Sequence, residues 1–201
     1  MFTLDASVPA EVGPISWLIG VWEGTGVIDY PVGDDRRTAE FGQRVSFSHD
    51  GLPYLNYAST TWLLGADGAE PVAHVAETGY WRLRRALGPA DPGPGLLPGV
   101  GERTFTTADE VDTLRSPEGA FELEVAIVHP DGVSELYLGQ VRAARIDLAT
   151  DAVVRSATAK DYAAATRLYG LVDGHLLWAW DIAAFGQELR SHASARLARV
   201  Q

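Results

Sequence analysis

The sequence predicts an all-β fold: a single antiparallel barrel of about ten strands, calycin-like, with a short N-terminal helical turn. Three observations carry this reading. Apolar and polar residues alternate in stretch after stretch from Gly20 onward. Turn signals such as Asp173-Gly174 separate these stretches at regular spacing. The opening stretch sets Gly20, Gly24 and Gly26 around Trp22, as suits a strongly bent strand passing close to its neighbour.

Glu11 to Ile19 carries Pro14, Ile15, Trp17 and Leu18 and suits a short helical turn closing one barrel end, with Trp22 as plug or seal. The first strand runs from Gly20 to Asp29. Ala39 to Ser48 alternates cleanly, His49-Asp50-Gly51 is a turn, and Pro53 to Trp62 is rich in β-branched and aromatic residues. Asp67-Gly68 breaks that strand, and His74 to Arg85 resumes, with Arg82, Arg84 and Arg85 read as an outer face.

Leu87 to Gly101 is too dense in Gly and Pro for a ladder or a helix, and reads as a long flexible excursion from a hairpin. Strands return at Ala120 to Val128, then at Val133 to Val141 after the turn His129-Pro130-Asp131-Gly132. Ile146 to Leu148 leads to Val153 through Ala159. Tyr162 to Leu171 pairs with His175 to Ala184, and His192 to Val200 closes the set. The alanines between Ala159 and Thr166 also permit a helix. The flanking patterns are too alike and too short for two cores, so residues 1–201 are expected to form one domain.

A net charge of −11 with one lysine, Lys160, disfavours nucleic acid and anionic membranes as partners. No apolar run has the length of a membrane span, and the N-terminus lacks a signal-peptide pattern. The absence of cysteine excludes disulfides, thiolate catalysis and thiolate metal ligation, and a cytoplasmic location is expected. The sequence does not fix the oligomeric state; a homodimer is compatible with it.

Acidic residues are scattered singly, which gives paired-carboxylate chemistry no support, and no hydrolase elbow, zinc helix or phosphate loop is present. The five histidines are the candidates for coordination or acid–base work, and no two sit at local zinc-pair spacing. His49, His129 and His175 stand at turns and His74 opens a strand. His192 begins the last strand ahead of Ala193, Ala195 and Leu197. Strand parity puts it on the face opposite those apolar residues, which favours a hydrogen-bonded structural role. A bulge at the strand start would turn it inward and make it available as a ligand.

Several motifs resemble the nitrobindin family of β-barrel heme proteins, distantly shaped like fatty-acid-binding proteins. They are Gly20-x-Trp22-x-Gly24-x-Gly26 with Tyr30-Pro31, then Val45-x-Phe47-x-His49-x-Gly51-x-Pro53-x-Leu55-x-Tyr57 with Thr61-Trp62. Glu77-x-Gly79-Tyr80, Ser156 with Lys160, and Ala183-Ala184-x-Gly186-Gln187-x-Leu189-x-x-His192 follow. The resemblance implies heme b with His192 as its proximal ligand. It places Val32, His74, Val75, His129 and Ile182 near the cofactor, with His74 or His129 as hydrogen-bond donor or sixth ligand. It implies isomerisation of peroxynitrite to nitrate by ferric heme and nitric oxide binding by ferrous heme. A heme-free carrier of a small hydrophobic ligand is the alternative. The chain departs from the family in having Val32 where a threonine is usual, and in the length of the excursion after Leu87, which could shield the cofactor.

Overall fold

The computed structural model describes residues 8–32, 35–65 and 69–201, the side chain of Val32 excepted. Ten strands close into one antiparallel barrel in which every strand pairs with its neighbour in sequence and the last pairs with the first. They are β1 (Gly20–Val32), β2 (Asp35–Ser48), β3 (Leu55–Leu63), β4 (Val72–Leu83), β5 (Phe121–Val128), β6 (Val133–Arg142), β7 (Arg145–Arg155), β8 (Tyr162–Val172), β9 (His175–Ala184) and β10 (Arg190–Arg199). Closure leaves no free sheet edge. The expected Asp67-Gly68 break lies outside the described residues.

Nearest-neighbour connectivity sorts the connections into two ends. The hairpins β1–β2, β3–β4, β5–β6, β7–β8 and β9–β10 form one end, called here the mouth. The C-terminus, the start of β1 and the remaining connections form the other. That second end is plugged by a 3-10 segment, Ala10–Leu18, which buries Val12, Ile15, Trp17 and Leu18. Trp22 is fully buried above it, and its Nε1 donates to the Leu18 carbonyl at 2.7 Å. The expected seal is therefore present.

The bend of β1 depends on glycine. A Cβ on Gly26 would stand 2.3 Å from the Ser194 carbonyl oxygen of β10 and 2.4 Å from the Phe41 ring. The β8–β9 turn puts Asp173 at φ 49° and Gly174 at φ 73°, the two-residue geometry that Asp-Gly favours. The β6–β7 turn also uses a positive φ, at Ala143, which no glycine announced.

The connection from β4 to β5 corrects two expectations. Arg85 does not face outward: it is buried, its guanidinium pairing with Glu11 at 2.6 Å and with Asp91 at 2.7 Å. Asp91 also accepts from the Gly88 amide, so the Gly/Pro-rich excursion is tied at its base to the closed end. Beyond it a short helix, Ala108–Asp112, opens on a Thr107–Glu110 capping box that the sequence reading missed. The stretch read ambiguously before Thr166 is strand from Tyr162 onward, and β7 ends at Arg155, ahead of a turn at Ser156 to Ala159.

Inside, the closed half is filled by Trp22, Phe47, Leu55, Trp81, Leu123, Leu176 and Leu197. The outer surface carries cross-strand ion pairs such as Arg82–Glu124 and Asp29–Arg36, and the within-strand pair Arg145–Asp147 of β7. Among the described residues, no helix is long and apolar enough to cross a membrane.

Candidate functional site

Three of the four bulges between described strands re-aim side chains that line the lumen at the mouth. In β10, Ser191 opposes Asp181 and Ala193 opposes Trp180, so His192 is an extra residue between two regular pairs. In β4, Thr60 opposes Ala76 and Trp62 opposes Ala73, with the Thr61 hydroxyl bonded to both the amide and the carbonyl of Val75. In β8, Tyr162 and Ala164 oppose consecutive residues of β9. The β10 bulge decides the site. Regular parity would send His192 outward with Ser194 and Arg196; the bulge places it on the lumenal side with Ala193.

These strands enclose a cavity of about 350 Å³ at the mouth. His74, Val75, His129, Ile182 and His192 all line it, together with apolar Ile28, Phe41, Val45 and Ala193. Val32 ends β1, and its side chain lies outside the described residues. His49 and His175 belong to turns of the closed end, away from this cavity.

The His192 ring is packed between two perpendicular aromatic rings, Tyr30 at 4.9 Å and Trp180 at 5.3 Å between centroids. Its Nδ1 is buried and has no hydrogen-bond partner among the described residues. Burial, with added repulsion from His74 and Arg167, holds its pKa down at about 4, so the imidazole is neutral at physiological pH.

Part of the cavity wall is a polar cluster that the sequence reading missed. Arg167 is buried and clamped bidentately by Glu77, at 2.8 and 2.9 Å, with Glu135 at 3.5 Å on its other side. Tyr57 donates to Glu77, and Tyr137 and Tyr162 both donate to Glu135. Burial alone would raise the Glu77 pKa, but Arg167, His129 and the Tyr57 hydroxyl hold it at about 2. Glu135 is likewise kept ionised against its burial by His129, Arg167 and its tyrosines. The carboxylates thought to be scattered thus converge in pairs through one arginine. The signal was present: Glu135 between Val133 and Tyr137, and Arg167 between Ala165 and Tyr169, are charges in the inward phase of their strands.

His129 belongs to this cluster. Its Nε2 lies 2.7 Å from Glu135 and its Nδ1 3.6 Å from Glu77. With Nε2 donating to Glu135, that nitrogen has no lone pair to offer a metal. His74 lines the outer part of the cavity and is exposed. Among the described residues no group of three or more His, Cys, Asp and Glu side chains is arranged to cage a bare ion. A single neutral imidazole suits a metal that arrives with its other ligands already in place.

Comparison with known proteins agrees with this chemistry. The chain is 65% identical over 200 residues to a peroxynitrite isomerase of Clavibacter michiganensis subsp. michiganensis, covering 100% of both chains. It is 64% identical to a peroxynitrite isomerase of Leifsonia xyli subsp. xyli, again over 100% of both. The crystal structure of Rv2717c from M. tuberculosis superposes with a TM-score of 0.67 at 26% identity, covering 96% of this chain and 99% of that one. Residues 11–199 match the sequence model of the THAP4-like, heme-binding β-barrel domain, and the chain belongs to that family.

Proposed function

We propose that this chain is a heme-dependent peroxynitrite isomerase, that residues 1–201 form one domain, and that heme b is held at the mouth through His192. The observation that carries the reading is the bulge that turns His192 into the lumen as a neutral imidazole packed between Tyr30 and Trp180. A neutral imidazole turned into a largely apolar cavity offers a lone pair to whatever is bound there. The residues fit a heme in three respects: one imidazole ligand, a largely apolar wall, and a volume in the range of small-molecule sites.

Heme, when bound, supplies a Lewis-acidic, redox-active iron at which the peroxynitrite O–O bond can be rearranged to nitrate. The chain's own contribution is positioning and exclusion. His192 would hold the iron through its neutral imidazole, which does not compete for protons above about pH 4. Ile28, Phe41, Val45 and Ile182 restrict water beside the reacting groups, which keeps fragments of one anion together long enough to recombine. The Arg167 charge is offset by Glu77 and Glu135, so the deep wall presents no free cation to trap the nitrate product. Nitric oxide is the expected ligand of the ferrous state at the same position. The cysteine-free sequence and the ion-paired exterior support a cytoplasmic location. No observation favours the carrier alternative, since an apolar ligand has no use for three histidines in the cavity wall.

The test is a hemin titration followed at the Soret band, with the His192→Ala variant alongside. Saturable one-to-one binding in the wild type, lost in the variant, is the expected result, and accelerated peroxynitrite decay should follow hemin occupancy. Equal binding by both proteins would remove His192 from the site.

A further inference from the structure

His192 is oriented in an unusual way. Histidines that ligate metals commonly donate their second ring N–H to a carboxylate or a carbonyl, which fixes the ring and raises its basicity. Here Nδ1 has no such acceptor among the described residues. Instead Trp180, its cross-strand neighbour at the β10 bulge, presents a ring 86° to the imidazole plane. The Trp180 ring is in turn held from the other side. The Arg167 guanidinium lies 4.3 Å over it, and His129 stacks on it within 10° of parallel. Arg167 itself has little freedom, being bonded to both Glu77 oxygens and, at 3.0 Å, to the Tyr137 hydroxyl.

We propose that Trp180 is the positioning residue of the axial histidine: clamped by Arg167, it fixes the plane of the His192 ring by packing, in place of a hydrogen-bond acceptor. The proposal rests on the reading of His192 as the iron ligand. It makes the buried ion cluster a support for the heme site rather than a catalytic group. It also makes His192 a weaker electron donor than an acceptor-loaded histidine would be, because no described residue accepts the Nδ1 proton.

The experiment combines hemin affinity with resonance Raman spectroscopy of the ferrous iron–histidine stretch in wild type, Trp180→Leu, Trp180→Phe and His192→Ala. In the wild type the stretch is expected as one narrow band at the low-frequency end that unloaded imidazoles give. Trp180→Leu should broaden or shift it and weaken hemin binding by about 10-fold or more, as loss of an outer-shell partner does. Trp180→Phe should recover most of both. Weaker binding with an unmoved band would mean that Trp180 only packs the core, and would overturn the proposal. So would a wild-type band at the high frequency of an acceptor-loaded histidine, a measurement that decides the matter even if Trp180→Leu does not fold. If His192→Ala bound hemin like the wild type, the ligand reading itself would fall. If that variant lost hemin while Trp180→Leu matched the wild type in both readouts, only the positioning role would.

Discussion

At the scale of the residue, His192 shows how a fold adjusts a side chain before any cofactor arrives. Burial is the leading cause of its depressed pKa, and the consequence is a stability that depends on pH. The unfolded chain takes up a proton on this histidine near pH 6.5, the folded chain only near pH 4. Between those values the proton favours the unfolded state, so stability falls as pH drops from 6.5 towards 4 and is flat, for this group, below that. At 1.36 kcal/mol per pKa unit the full loss is on the order of 3 kcal/mol. Urea denaturation of the heme-free protein at pH 7, 6 and 5 should show this loss in the wild type. His192→Gln should lack that part of the slope, and parallel slopes in the two proteins would refute the assignment. His192 was also the residue that motif resemblance singled out and strand parity pointed the wrong way. Parity failed for a local reason, since a single extra residue reverses the face of everything beside it.

The strand and its irregularities set the next level. Most strands were legible because alternation and turn chemistry are short-range signals: Val133 to Val141 and the Asp173-Gly174 hairpin could be read directly. The bulges were not, since a bulge is defined by how two strands count against each other and neither strand alone records it. The deep cluster was hidden for a related reason. Glu77, Arg167 and Glu135 lie on three strands far apart in sequence, and only barrel closure brings them within bonding distance. The β10 bulge yields a direct prediction. Deleting Ser191 should restore a regular ladder with β9 and send His192 to the outer face, while Ala193, Ala195 and Leu197 keep their inward phase. The variant should retain its β-sheet circular dichroism and bind hemin as weakly as His192→Ala. Wild-type hemin affinity in the deletion would show that the bulge does not aim the ligand.

At the scale of the whole molecule, the two barrel ends have separate tasks. The mouth holds the three lumenal histidines and the cavity. The closed end holds the 3-10 plug, the C-terminus and the excursion after β4. That long connection invited a reading as a shield over the cofactor, but none of its described residues lines the cavity, and topology places it at the opposite end. What ties it down is Arg85, buried between Glu11 of the plug and Asp91 of the excursion. The Arg85 hydrogen bond, working against burial, brings the Asp91 carboxyl down to about 2, so this link keeps its charge at any pH the cell meets. Removing the arginine leaves the buried Glu11 and the partly exposed Asp91 without their shared partner, a change that costs on the order of 1–3 kcal/mol. Arg85→Met should therefore lower the denaturation midpoint sharply. Hemin affinity, measured where the variant is still folded, should stay at the wild-type value, because closure of the barrel carries the mouth independently of the plug. A parallel fall in both would mean that the plug sets the shape of the mouth, and that stability and cofactor binding share one cooperative support.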